Sequence, residues 1–213
     1  MNGFKAVIFD MDGVLVDSET AYMRQYQGIM ATQGVDLPID AFYGLAGGSM
    51  EDLYRLMTSR LAIDRPRAVA ICDAFFEHSH VDYSLLVRPT AQPLLRSLAD
   101  RGLRLALASS SPMASINAML DSCGLKSFFE LVVSGDDFKK TKPDPEIYQY
   151  TVRRLGLGQK EVAVVEDSTY GMQAAKGAGL FTIALRDPRF NFRTELADVV
   201  IEDLAQVQDV IQQ

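Results

Sequence analysis

Cysteine is scarce: the 213 residues contain two, Cys72 and Cys123. They lie far apart in sequence, each beside apolar residues, a pattern of buried thiols in a reducing compartment and not of a disulfide or a metal site. Histidine is equally scarce, with His78 and His80 on either side of Ser79 in one polar stretch; either could contact a substrate, but solvated or structural roles are the ordinary reading. Positive charge is short, 21 Lys and Arg against 28 Asp and Glu for a net charge of −7. That argues against a nucleic-acid binder, which needs a basic face for the phosphate backbone. Small anionic substrates stay open, because a site can be locally positive or carry a metal. No apolar run is long enough to span a membrane. The first apolar run is short and ends in acids, unlike a signal peptide. A soluble, cytoplasmic protein is expected. Lysine is missing altogether between Ser18 and Arg88. There are no internal repeats and no low-complexity segments.

What is present is a 48% hydrophobic chain, enough for a sizeable core, and a stretch around which the rest is organised, Lys5 to Asp17, KAVIFDMDGVLVD. Ala6 to Phe9 is too short for a helix and rich in strand-forming residues, so it reads as a strand buried on both faces, as in a parallel sheet. The run stops at Asp10, Met11, Asp12, Gly13. A carboxylate next to a buried strand is costly unless something compensates it. Two carboxylates at i and i+2 share a direction while the chain is extended, and Gly13 permits a sharp turn after them. The pair would stand at the carboxyl end of a strand, where open α/β sheets bind ligands.

From Ser18 to about Leu86 the pattern is helical. Tyr22, Tyr26, Ile29 and Met30 recur at helical intervals, Gly34 closes that helix, and a further helix is expected near Ile39 to Tyr43. Ser49 fits an N-cap for a helix through Leu53, Leu56 and Met57, and Pro66 sits near the start of another. Past Arg88 the chain alternates: helix Ala91–Arg101, strand Leu103–Ala108, helix Met113–Cys123, strand Leu131–Ser134, helix Pro145–Leu155, strand Val162–Val165, helix Tyr170–Gly177, strand Phe181–Ala184 and a short strand Val199–Ile201. Repeated strand–helix units imply a parallel sheet with helices on both faces. The fold class predicted is α/β, a Rossmann-like core made of residues 1–17 and 88–213, with residues 18–87 inserted as a helical domain.

Four clusters at strand ends carry chemistry: Asp10 with Asp12, Ser109 after LALA, Lys142 in TKPDPEIY, and Glu166 with Asp167 after VAVV. Taken one at a time, each has an ordinary explanation: a helix cap for Ser109, one of three solvated lysines for Lys142, acids at a helix N-terminus for Glu166 and Asp167. A parallel sheet, however, lines its strand ends along one edge and brings all four into one crevice. Phosphoryl transfer suits them. Acids on two strands can hold Mg²⁺, which favours carboxylate oxygens, water and phosphate. A hydroxyl and an ammonium can bind other phosphate oxygens. One carboxylate can attack phosphorus and the other can move the proton.

These motifs resemble those of the haloacid dehalogenase superfamily, and within it the β-phosphoglucomutase-like group with a helical cap after the first strand. FDMDGVLVDSE matches the first motif, ASSS the second, KPDPEIY the third and VVEDSTYGMQAAKGAG the fourth, over nearly the whole chain. The resemblance implies that Asp10 is a nucleophile and Asp12 a general acid/base. It implies that Ser109, Ser110 and Lys142 bind phosphate. Mg²⁺ would be held by Asp10, Asp167, the Asp12 carbonyl and, more weakly, Glu166.

Within the family, Asp12 argues against a true dehalogenase, which lacks that second aspartate. The missing cap lysine argues against the phosphonate hydrolases, which form a Schiff base on it. The mutases of β-glucose 1-phosphate use cap groups that this chain replaces: Tyr22 stands where they carry a histidine, Met50 where they carry an arginine, and Ser79 or a neighbour near their cap lysine. Arg24, Arg55 or Arg60 are the cap cations that could substitute. A mutase must hold a bisphosphate and exclude water, so it needs positive charge there. The expected activity is therefore a phosphatase for a small phosphorylated metabolite, a sugar phosphate above all, with a phosphosugar mutase as the alternative. A non-catalytic metabolite-binding module on the same fold has no use for a nucleophile and an acid together.

Overall fold

The computed structural model describes residues 3–212. It divides into two compact units, one made of residues 1–17 with 83–213 and one of residues 18–82. The first is built on six parallel strands: β1 (Ala6–Phe9), β2 (Arg104–Ser109), β3 (Leu131–Ser134), β4 (Val162–Glu166), β5 (Phe181–Leu185) and β6 (Val199–Ile201), in the order β3-β2-β1-β4-β5-β6. This is the α/β, Rossmann-like parallel sheet the alternation predicts. Every residue of β1 and β4 is buried, as continuous apolar strands in the middle of such a sheet must be.

Between these strands run α4 (Ala91–Asp100), α5 (Met113–Ser122), α6 (Glu146–Leu155) and α7 (Thr169–Gly177), and the short α8 (Val207–Gln212) follows β6. Ile147, Tyr148, Val152 and Leu155 of α6 pack with Ala174 and Ala175 of α7 onto Ala6, Ile8, Ala106 and Val164 of the sheet. Neighbouring residues in a strand point to opposite faces, so Val7, Phe9 and Leu107 serve the other side. The chain leaves and returns along a short antiparallel track. Val16 bridges Val87, the Asp17 amide donates to the Leu86 carbonyl at 2.8 Å, and the Arg88 amide donates to the Leu15 carbonyl at 2.9 Å. The first unit takes the chain back at Tyr83, five residues before the boundary read from the change of pattern.

The second unit is helical, with α1 (Glu19–Thr32), α2 (Met50–Leu61) and α3 (Arg65–Phe76). Its core is Met23, Ile29, Met30, Phe42, Leu53, Met57, Ala68 and Cys72. Ser49 caps α2: its amide and hydroxyl both donate to Asp52, at 2.8 and 3.0 Å. The helix expected near Ile39 to Tyr43 is present as a 3-10 helix, Ile39–Leu45. Cys72 is buried, its thiol pushed up to about 11 by desolvation, while Cys123 is half-buried with its sulfur on the Tyr83 carbonyl. No helix among the described residues is long and apolar enough to cross a membrane.

Candidate active site

Ladder register assembles the site. Phe9 is paired with Leu107 of β2 and Val165 of β4, so the next residues along, Ala108, Asp10 and Glu166, lie side by side at the carboxyl edge. The order of strands reverses between β1 and β4, the place where sheets of this type open a crevice. Asp10 continues the ladder, its amide donating to the Val165 carbonyl at 3.0 Å. Glu166, expected just past its strand, is the last residue of β4 itself.

Lys142 arrives from the segment before α6, following a chain that reaches the crevice through a cis Lys142–Pro143 bond. Its ammonium donates to Asp10 Oδ1 at 2.7 Å, to Glu166 Oε1 at 2.7 Å and to the Ala108 carbonyl at 3.2 Å. All three donors of an ammonium are thereby engaged. The side chains of Lys142, Asp10 and Glu166 are 6%, 11% and 0% exposed, so this is a buried ion triad, where charge interacts strongly and an unpaired member is expensive. Tyr148, one turn into α6, closes the group from below. Its hydroxyl donates to Glu166 Oε1 at 2.5 Å, and the Lys142 nitrogen lies 4.8 Å from its ring centre. Glu166 Oε2 accepts from the Asp167 amide at 3.2 Å.

Lys142 pairs with Asp10 and Glu166, and Asp167 is buried beside them. Burial pushes Asp10 up to about 8, Lys142 opposes that, and the Glu166 and Asp12 charges push it further up. Burial also works against the Lys142 ammonium, but Asp10 and Glu166 outweigh it and hold the amine above its ordinary value. The Tyr148 phenol is driven well above its ordinary value by burial and by the Glu166 charge, which keeps it a donor. One carboxylate oxygen from each of Asp10, Glu166 and Asp167 lies within 4.8 Å of the others, all three residues buried. Hard oxygen donors short of positive charge fit a hard divalent cation.

Two glycines let the acids converge. A Cβ on Gly13, whose φ is +73°, would stand 1.9 Å from Asp167 Oδ2, so this glycine answers both a left-handed turn and a close approach. A Cβ on Gly171 in α7 would fall 2.0 Å from the carboxylate of Glu166. The turn of Gly13 is also held by Arg88, whose guanidinium donates to the Gly13 carbonyl at 2.7 Å.

Of the residues singled out from sequence, Asp10, Lys142, Glu166 and Asp167 meet directly. Asp12 is at the same edge, its Oδ2 accepting from the Ser111 hydroxyl at 2.7 Å. Ser109 ends β2, buried, with its Oγ accepting from the Ser111 amide at 3.0 Å, and Ser110 is exposed in the loop that follows. Sequence reasoning missed Tyr148 and Ser111. Tyr148 was visible only as an aromatic in KPDPEIY, and Ser111 only as the third of three serines. In the second unit Met50 opens α2, Arg24 and Arg60 are exposed, and Arg55 pairs with Asp52 at 3.5 Å. Ser79 accepts from the Gln25 amide at 3.2 Å, and His78 Nδ1 lies 3.3 Å from the Ala74 carbonyl. A residue without an assigned part, Glu19, is buried and accepts from the Gly47 amide at 3.1 Å, which ties the glycine loop to the start of α1.

The chain is similar to known proteins in sequence and in fold. A family profile described as haloacid dehalogenase-like hydrolase matches residues 7–185. A protein of Thermotoga maritima named phosphorylated carbohydrates phosphatase is 33% identical over 177 residues, covering 83% of this chain and 82% of that protein. Hexitol phosphatase B of Escherichia coli is 29% identical over 218 residues, covering 95% of this chain and 93% of its own. In the crystal structure of β-phosphoglucomutase from Clostridium difficile the fold is shared at a TM-score of 0.78 and 23% identity, over 98% of this chain and 96% of that one.

Proposed function

The chain belongs to the haloacid dehalogenase-like hydrolase family, and from that premise we propose that it is a Mg²⁺-dependent phosphatase that removes phosphate from a small phosphorylated sugar through an aspartyl phosphate on Asp10. The observation that carries the reading is the buried Lys142 ammonium bonded to Asp10 Oδ1 and Glu166 Oε1 beside a second aspartate, Asp12. A metabolite-binding site needs no such pair of acids. The names of the similar phosphatases supply the substrate class.

Lys142 fixes one oxygen of Asp10, which leaves the other to attack phosphorus in line. As the O–P bond forms, the ester P–O bond breaks, and Asp12 gives its proton to the departing sugar oxygen. Asp12, now ionised, takes a proton from water as that water attacks the phosphorus of the acyl phosphate. The P–O bond to Asp10 then breaks, inorganic phosphate leaves, and Asp12 is protonated again. The Ser109 hydroxyl would serve a non-bridging oxygen, and the positive charge of Lys142, its three N–H groups already engaged, would offset the charge that gathers there during transfer. Asp10, Asp167 and the Asp12 carbonyl would hold Mg²⁺, with Glu166 a weaker or water-mediated ligand. When bound, Mg²⁺ supplies charge neutralisation at the phosphoryl oxygens. Glu166 already has Lys142, Tyr148 and the Asp167 amide on its oxygens, which supports giving it the lesser share. In a Mg²⁺ titration of activity, Asp167→Ala is therefore expected to raise the concentration for half-maximal rate more than Glu166→Ala does. Equal or reversed effects would overturn that ranking.

The inserted unit, residues 18–82, is read as the cap that selects the substrate. Hydrolases and mutases of this design share the aspartyl phosphate and differ in what reaches it, water or a sugar hydroxyl. With Met50 and Tyr22 at the places where the mutase carries cation and histidine, and no lysine in the cap, water is favoured. Inorganic phosphate and isomerised sugar phosphate should be measured in parallel from β-glucose 1-phosphate, with a trace of bisphosphate present. Phosphate release should exceed isomerisation, and a wide excess of the isomer would make the chain a mutase.

A further inference from the structure

Asp12 must be held to a fraction of an ångström to pass a proton, yet it lies beyond the end of β1, its backbone in an isolated bridge to Val16. One bond that reaches its carboxylate comes from the Ser111 hydroxyl, at 2.7 Å, from a residue 99 positions along the chain. Ser111 itself belongs to a loop of small side chains between β2 and α5, with little bulk to fix it. What braces the loop is the turn after β3. The Ser134 hydroxyl, fully buried, donates to the Ser111 carbonyl at 2.8 Å and accepts from the Asp136 amide at 3.1 Å. Asp136 Oδ2 accepts from the Met113 amide at 2.8 Å, which ties down the far end of the same loop. At Gly135 a Cβ would come 2.6 Å from the Ser110 carbonyl, so turn and loop meet backbone to backbone. The two segments start from register partners, Ser109 and Ser134.

We propose that the Ser134–Asp136 turn is a positioning element for Asp12, acting through the Ser111 hydroxyl. The proposal rests on the reading of Asp12 as the acid/base. Ser134 and Asp136 hold the loop, and the loop presents one hydroxyl that fixes Oδ2 of the Asp12 carboxylate. A brace that merely stabilised the loop would show in folding and in substrate affinity alike. A positioning element shows in turnover, and its members act as one unit.

The test is a double-mutant cycle on the full chain with p-nitrophenyl phosphate and Mg²⁺. Ser111→Ala should lower kcat about tenfold with KM within about twofold, and Ser111→Thr, which keeps the hydroxyl, should recover most of it. Ser134→Ala should lower kcat about threefold in the wild-type background and leave it unchanged in the Ser111→Ala background, because both act through one bond. Asp136 is exposed, so Asp136→Ala repeats the cycle if the buried Ser134→Ala variant fails to fold. A kcat for Ser111→Ala within twofold of wild type, or effects that multiply across the cycle, would overturn the proposal. Asp12→Ala separates the two readings. If Asp12→Ala is inactive and Ser111→Ala is unaffected, only the positioning role falls. If Asp12→Ala turns over at the wild-type rate, the acid/base role falls and takes the positioning role with it.

Discussion

Asp10→Asn is expected to abolish turnover, by about three orders of magnitude or more, which is roughly 4 kcal/mol of barrier. The amide keeps an oxygen for the Lys142 bond at Asp10 Oδ1 but is a poor nucleophile. The loss should be in kcat, since the substrate's phosphate still meets Lys142 and Ser109. Stability gives an independent check with a definite sign. Burial raises Asp10 from 3.8 to about 8 in the folded protein without metal. A carboxyl raised on folding favours the native state below its unfolded pKa, and that advantage is lost as pH rises through the folded value. Asparagine never ionises and escapes this loss. The melting temperature of metal-free Asp10→Asn should therefore rise relative to wild type between about pH 4 and pH 8. An inactive variant that also melts lower across that range would point to misfolding and not to loss of a nucleophile.

Lys142→Ala should have the second largest effect, and it should fall on stability and activity together. Removing the ammonium leaves Asp10 Oδ1 and Glu166 Oε1 buried without a cation. Breaking a buried ion pair from one side costs about 3–5 kcal/mol. At about 2–4 °C per kcal/mol for a chain of this size, the melting temperature should drop by roughly 6–20 °C. Turnover should fall at least about a hundredfold, because Lys142 both aims Asp10 and neutralises the phosphoryl oxygens. A variant with wild-type melting and activity would remove Lys142 from the site.

Much of this arrangement can be read before any coordinates. A strand buried on both faces must be an uninterrupted apolar run, so AVIF and VAVV stand out, and acids or a serine placed directly after such runs are conspicuous. Parallel connectivity then puts those residues on one edge without further information. What could not be read depends on partners distant in sequence. Tyr148 repeats with Ile147, Val152 and Leu155 as an apolar face of α6, and nothing local says that its hydroxyl meets Glu166 across the crevice. Ser111 is one of three adjacent serines, and its bond to Asp12 exists because the β3 turn braces the loop from the side. Glu166 lies inside β4 because the ladder to β5 runs one residue further, to Ala184, than the apolar run does. The helix near Ile39 to Tyr43 is legible, although not that it winds as a 3-10 helix, and α8, only a turn and a half long, carries too short a pattern to be read.

The central claim is that Asp10 carries the phosphoryl group between substrate and water. Acid quenching during turnover of a sugar phosphate with Mg²⁺, followed by borohydride reduction, converts an aspartyl phosphate to homoserine, which peptide mass spectrometry locates. The account predicts homoserine at Asp10 in the peptide containing IFDMDG, dependent on substrate. Asp10→Asn should show none. Steady phosphate release with no reduced aspartate, or with homoserine at Asp12 or Asp167 in place of Asp10, would contradict it.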